Sequence, residues 1–308
     1  MKQPTHLPKA LRRLDNFFFA EATSTPWAYL RIGISTLLLM QGAMVFGQLG
    51  NLYGDQGILQ QNWATLSLGK MTTVFPGLVW THRVAHFLKV ADSQIFSWIV
   101  LLYAFSLGFT LVGLFFRPAI VLATATHFLV LCSGFNQSYG FDRFAQVALF
   151  YLMFSRAADT LSLDAWYRGV PSKKVPSSLF LLRLLQLHLC IAYLATAVAK
   201  ASSAQWWNGE AIWRALMLTG ANHIDFAWLY PHRWTLTFLG WSTLLIEGGY
   251  AFFIWPSATR YVWASLIVAL HLGIGITLGL VNFSLIMVTL TLCAFVLPRA
   301  LTHSAVPN

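Results

Sequence analysis

Apolar residues run along this chain in long blocks separated by short polar breaks. Eight blocks stand out, at 28–47, 94–116, 118–135, 142–158, 178–200, 233–255, 260–280 and 281–298. A helix needs ~20 predominantly apolar residues to cross about 30 Å of hydrocarbon. The pattern therefore predicts an all-α fold, a polytopic integral membrane helical bundle of about eight transmembrane helices. Two connections are long, 48–93 and 201–232, and the second carries Trp206, Trp207, Trp213, Trp228 and Tyr230. Tryptophan and tyrosine settle at the headgroup level because an apolar ring there keeps a wet polar tip. Both connections are expected to lie on the outer surface as amphipathic or re-entrant segments, lidding the bundle. The domain reading is a cytoplasmic N-terminal tail (1–27), one transmembrane domain (28–298) and a cytoplasmic C-terminal tail (299–308).

Composition agrees with lipid as the solvent. Hydrophobic residues make up 57% of the chain and charged residues 10%, against about 25% charged in soluble domains. The net charge of +10 suggests nucleic acid only at first sight. The basic residues are spread over the ends of apolar blocks and form no stripe, so no nucleic-acid partner is expected. Those residues report orientation instead. With an inward N-terminus and eight spans, Lys70, Arg83, Lys89, Arg143, Lys200, Arg214 and Arg233 face outward, and the remaining 13 of the 20 lysines and arginines face inward. That excess predicts an inner (cell) membrane protein with both termini cytoplasmic. Cys132, Cys190 and Cys293 all sit inside apolar blocks without CxxC spacing, so they read as packing thiols.

Candidate chemistry lies where ionisable residues meet apolar surroundings, because such groups turn toward the bundle interior and find partners. Glu247 and His271 are equidistant from a turn centred near residue 259, which predicts that they hydrogen-bond across an antiparallel hairpin. Such a pair serves either as glue between helices or as a proton or ligand site. His127 and His188 read as intramembrane histidines bonded to neighbouring helices. His82 and His86 have the i, i+4 spacing of metal ligands but lack a third ligand and an HExxH glutamate, so no metal site is expected. Asp142 and Arg143 open the fourth block. They are either a helix start with an acid at the positive end of the dipole, or part of an outward-facing polar cluster with Lys200. Lys200 closes the fifth block after Ala195, Thr196, Ala197 and Ala199. At that place it either anchors a helix end or, if apolar walls desolvate it, acts as a base.

The stretch Leu184-Leu185-Gln186-Leu187-His188-Leu189-Cys190-Ile191-Ala192-Tyr193-Leu194, continuing through Ala199-Lys200 to Trp206-Trp207-Asn208-Gly209, resembles the horizontally transferred transmembrane (HTTM) domain family. That family is related to vitamin K-dependent gamma-carboxylase. Four further stretches are similar to it in the expected order: Leu52-Tyr53-Gly54-Asp55-Gln56-Gly57, Leu161-Ser162-Leu163-Asp164-Ala165, Leu245-Ile246-Glu247-Gly248-Gly249, and His271-Leu272-Gly273 through Asn282-Phe283-Ser284. The resemblance implies a multi-span helical domain, and it implies that Lys200 matches the carboxylase base that deprotonates vitamin K hydroquinone. Two departures limit the carry-over. The carboxylase's Asn-Asn-His element reads Asn136-Gln137-Ser138 here, and the chain ends at residue 308 without the large lumenal portion that holds a protein substrate.

These readings converge on an outward-facing, membrane-embedded site acting on a quinone-like or other lipophilic small molecule. Lys200 is the expected base, Asp142 and Arg143 its polar neighbours, and Glu247 with His271 a buried pair. The rival reading, suggested by short bacterial relatives in the same resemblance, is a non-enzymatic accessory or maturation factor for a secreted peptide. Transport is disfavoured, because the blocks show neither a clear repeat nor matched Gly/Pro-interrupted pairs.

Overall fold

The computed structural model describes residues 8–46, 78–133, 139–169, 176–217 and 224–298. Expectations for Tyr53 to Gly57, for Asn136 to Ser138 and for the C-terminal tail fall outside the described residues. In chain order the helices are α1 (Lys9–Phe19), α2 (Thr25–Phe46), α3 (Leu78–Leu88), α4 (Asp92–Val112), α5 (Phe116–Ser133), α6 (Gly140–Phe154) and α7 (Leu163–Tyr167). There follow α8 (Phe180–Ala201), α9 (Ala204–Trp207), α10 (Glu210–Leu216), α11 (Arg233–Phe253), α12 (Ser257–Leu278) and α13 (Val281–Thr291), the last continued by a π-helical turn, Leu292–Val296. Each of the eight apolar blocks contains one helix, from 11 residues in α13 to 22 in α2, α8 and α12. Among the described residues the regular structure is helical except for a two-stranded antiparallel ribbon, β1 (Glu21–Thr23) with β2 (Pro176–Ser178).

Three helices, Ser93–Val112, Phe180–Ala201 and Ser257–Leu278, are long and apolar enough to cross a membrane, and Phe116–Cys132 and Val281–Val296 are shorter apolar helices. Their outer faces, and that of α11, carry large apolar side chains such as Phe105, Ile191, Leu245 and Ile276, which lipid covers more cheaply than water. The chain is a multi-pass membrane protein in contact with the bilayer.

The chain divides into two compact units, one made of residues 1–26 and 174–308, the other of residues 27–173. In the second of these, α4, α5 and α6 pack in succession. The turn after α4 is held by a polar latch. Gly113 is left-handed (φ 68°), and a Cβ there would collide with the Arg31 guanidinium and with Ser162. Arg31, fully buried, donates from Nη2 to the Leu161 carbonyl. Asp164 accepts the Phe115 and Phe116 amides at 3.0 and 2.9 Å, so its carboxylate caps the otherwise unpaired first amides of α5. Ser162 caps α7 through the Ala165 amide at 3.0 Å. Phe115 and Leu161 take positive φ, 45° and 52°. That conformation strains residues with a Cβ by roughly 1–2 kcal/mol each, and the latch holds both in place. The stretch Leu161 to Ala165, one of those that carry the family resemblance, is thus a structural clasp.

The other unit is built on α8 and α11, which pack antiparallel with Ala197 against Gly248. α1 lies across the start of α8, with Phe19 stacked on Phe180 at 5.4 Å and the Arg183 guanidinium 4.3 Å from the Phe17 ring. The segment expected as an N-terminal tail therefore contains a helix and a strand tied to α8. Gly249 receives the Trp263 ring of α12, and Trp263 Nε1 donates to the Ile246 carbonyl at 3.1 Å. Gly248 and Gly249 thus let one helix approach on each side of Glu247. Where the π turn loosens the end of the last helix, the Ala294 carbonyl accepts Gln186 Nε2 at 2.5 Å, a buried bond that ties α8 to this segment.

Candidate functional site

α8 places Tyr193, Thr196, Ala197 and Lys200 on one face, at the i, i+3, i+4, i+7 spacing of a helical stripe. α11 faces it with Gly240, Thr243, Glu247 and Tyr250, all of them buried together with Leu236. The Lys200 ammonium donates to Glu247 Oε1 at 2.6 Å. Thr196 Oγ1 lies 3.4 Å from Glu247 Oε2 and donates to the Tyr193 carbonyl at 2.9 Å. The Glu247 side chain is 6% accessible and that of Lys200 25%, so the acid is enclosed and the ammonium keeps one open side. Trp206 covers another, with Lys200 Nζ 4.8 Å from its ring centroid, within the range of a cation–π contact.

A second pair lies beside the first. Tyr193 OH and His271 Nε2 are 2.8 Å apart, both buried. The Tyr193 ring packs on Tyr250 at 4.4 Å, and the edge of Phe283 meets His271 at 5.4 Å. The other ring nitrogen, His271 Nδ1, is buried without a hydrogen-bond partner among the described residues. Tyr193 therefore links the histidine of α12 to the helix that carries Lys200.

Two expectations change here. Glu247 and His271 do not bond to each other. The turn between α11 and α12 is Ile254–Pro256, and Ser257 is already helical. Measured from Trp255, Glu247 is 8 residues back and His271 is 16 forward, an offset of about 12 Å along the hairpin. α8 supplies a separate partner for each: Lys200 for the acid, Tyr193 for the histidine.

Lys200 is in the last turn of α8, yet that turn is not at the end of the unit. From the Ala197–Gly248 contact, α8 runs about 25 Å back to Phe180 and α11 about 22 Å on to Arg233. α8 stops at Ala201, and α9 and α10 pack along the remaining length of α11. Gly240 is what lets them in, since a Cβ there would strike the Trp206 carbonyl. Left-handed Gly209 (φ 81°) makes an equally close approach to Leu236 and Thr237. Trp241 Nε1 donates to the Trp207 carbonyl at 3.0 Å, and Trp207 Nε1 to the Ala201 carbonyl at 2.7 Å. The Trp206–Trp207 segment folds back against α11.

Asp142 and Arg143 belong to the other unit, and there the plainer reading of Asp142 holds. It accepts the Tyr139 amide at 3.1 Å at the start of α6, with Gln41 Nε2 3.4 Å from its other oxygen. Arg143 is exposed at the first turn of the same helix. His127 is buried, with Tyr103 OH 2.8 Å from Nδ1 and the Asp142 carbonyl 3.2 Å from Nε2. Among the described residues no group of three or more His, Cys, Asp or Glu side chains could hold a metal ion, and all three cysteines are free and buried.

Sequence reasoning missed Tyr193 and Thr196 as partners of this site. The signal was present, because Tyr193, Thr196 and Lys200 share the face that an ionisable residue at depth must turn inward. Together the fold and the site define a multi-pass membrane protein with a lysine–glutamate ion pair and a tyrosine–histidine pair inside one helical unit. No family model, curated protein or solved structure matches the chain.

Proposed function

We propose that this chain is an eight-span inner-membrane protein of the HTTM class, with both termini cytoplasmic, in which Lys200 serves as a base toward a quinol-like or other lipophilic hydroxyl compound. The observation that carries this reading is the 2.6 Å Lys200–Glu247 contact with Trp206 over the ammonium. A proton shared along that hydrogen bond can rest on either partner with no change in net charge. When it rests on Glu247, Lys200 presents a neutral amine on its accessible side. That amine accepts the proton of an incoming O–H, which leaves an ammonium beside the new oxyanion. Both charges then lie among apolar walls, where their attraction is larger than in water. The aromatic wall and the surrounding lipid favour a flat, lipid-soluble substrate.

The test is to purify the full chain and identify co-purifying lipophilic molecules by mass spectrometry, for wild type, Lys200→Ala and Glu247→Gln. Loss of a hydroxylated lipophile in both variants is expected. Identical content in all three proteins removes Lys200 from the proposed chemistry.

A second reading rests on the same short contact. A 2.6 Å pair satisfies the lysine, and such a pair joins α8 to α11 with no chemistry at all. The chain would then act as an accessory or maturation factor for a secreted peptide. The double variant Lys200→Met/Glu247→Leu separates the two, since an accessory keeps its cellular role with the pair replaced by apolar groups of similar size.

A further inference from the structure

A cavity of about 680 Å³ opens in the 27–173 unit between the α4–α5 turn and the segment that follows α6. Arg117, Arg156 and Arg168 line it, with Asp159, Asp164 and Tyr167. The two carboxylates are already engaged. Asp164 holds the Phe115 and Phe116 amides, and Asp159 accepts Arg156 Nε at 2.5 Å with Arg168 Nη2 at 3.7 Å. Three guanidinium groups against two carboxylates leave the lining one positive charge in excess, and the buried Arg31 sits behind it at the Leu161 carbonyl.

Arg117 and Arg168 are held in place by backbone carbonyls. Arg117 Nη1 donates to Met153, while Arg168 donates from Nε to Asp164 at 2.9 Å and from Nη2 to Ala158 at 3.2 Å. Among the described residues, Nε and Nη2 of Arg117 and Nη1 of Arg168 enter none of these bonds; guanidinium N–H groups suit phosphate oxygens, and groups already positioned lose less freedom on binding. Around the cavity, Phe115, Trp166 and Tyr167 are about 70% exposed. Exposed tryptophan and tyrosine beside arginine is the arrangement of a membrane–water boundary. We infer that this arginine-lined cavity binds a phosphate group, carried by the headgroup of an anionic phospholipid. The site is independent of Lys200 and of the reading given to it.

The test uses the full chain in detergent, with native mass spectrometry and thermal unfolding. Three probes are compared: phosphatidylglycerol, phosphatidylcholine and inorganic phosphate. Phosphatidylglycerol is expected to be retained and to raise the unfolding temperature, with phosphatidylcholine retained less. Arg117→Gln and, separately, Arg168→Gln should weaken phosphatidylglycerol retention on the order of tenfold. Arg83→Gln, on an exposed position of α3 outside the cavity, should leave it unchanged. Stabilisation by inorganic phosphate alone, lost in Arg117→Gln, supports the same chemistry with a soluble phosphate compound as its source. The inference is overturned if both cavity variants retain phosphatidylglycerol as wild type does, or if the two lipids are retained equally.

Discussion

Each unit of this protein contains a buried tyrosine–histidine pair at 2.8 Å, and the two are finished differently. In the 27–173 unit, His127 uses both ring nitrogens, one on Tyr103 and one on the Asp142 carbonyl, and the nearby carboxylate of Asp142 caps its own helix. In the other unit, His271 uses Nε2 on Tyr193 and leaves Nδ1 without a partner among the described residues, and the nearby acid, Glu247, holds a lysine that keeps one accessible side. A closed network fixes helices and offers nothing to a ligand. An open one has the same packing role and also retains capacity for a proton. Buried polar atoms without a partner among the described residues occur in both units, but the one beside Lys200 is an imidazole nitrogen, which can take up or release a proton.

The largest expected effect sharpens this contrast. Removing one member of a buried ion pair strands the other, at ~3–5 kcal/mol when both are fully enclosed. Lys200→Ala leaves the enclosed Glu247 carboxylate alone, and because Lys200 is itself partly accessible the loss should be about 2–3 kcal/mol. Glu247→Gln leaves an ammonium that can swing to its open side, so about 1 kcal/mol is expected. Unfolding midpoints of the purified variants in one detergent should fall in the order wild type, Glu247→Gln, Lys200→Ala. The reverse order would mean that the acid, not the lysine, has the accessible side. Lys200→Met/Glu247→Leu should recover most of the stability.

Next come the two tyrosines. Tyr103→Phe strands a ring nitrogen of His127 and should lower stability by about 1–2 kcal/mol, with no change in co-purifying lipophiles. Tyr193→Phe should lower it by a similar amount and also change ligand content, because the freed His271 borders the Lys200 site. Equal ligand content in both variants would remove the functional distinction between the units.

Much of this is legible in the order of the residues. Each of the eight apolar blocks holds a helix, three of them long and apolar enough to span a membrane, and the rule that costly charges turn inward singles out Glu247, His271 and Lys200. The pairing is not legible, for two physical reasons. Ile254 to Pro256 makes a turn tighter than the polar residues Ser257 to Arg260 suggest, which slides α12 against α11 and separates Glu247 from His271. The early end of α8 depends on Gly209 and Gly240, whose role is to admit another backbone. A glycine signals such an approach without naming what approaches.

Asp142 offers a smaller effect. Its carboxylate accepts the Tyr139 amide at the head of α6, and an asparagine oxygen can do the same. Asp142→Ala should therefore cost about 1 kcal/mol and Asp142→Asn a few tenths. An acid taking part in proton transfer would instead show its loss in the asparagine variant, through altered ligand content with stability intact.

The smallest effect belongs to Arg143, which stands exposed beside that cap with no ion pair among the described residues. Surface substitutions of this kind change stability by less than about 0.5 kcal/mol, and an exposed arginine at a helix end can lean toward the headgroups without a fixed partner. Arg143→Gln should leave the unfolding midpoint and the co-purified lipophiles as in wild type. If ligand content drops while the midpoint holds, Arg143 contacts the ligand, and the division between a closed, structural unit and an open, chemical one would have to be abandoned. If neither moves, the side chain that sequence grouped with Lys200 acts only through its charge at the membrane surface.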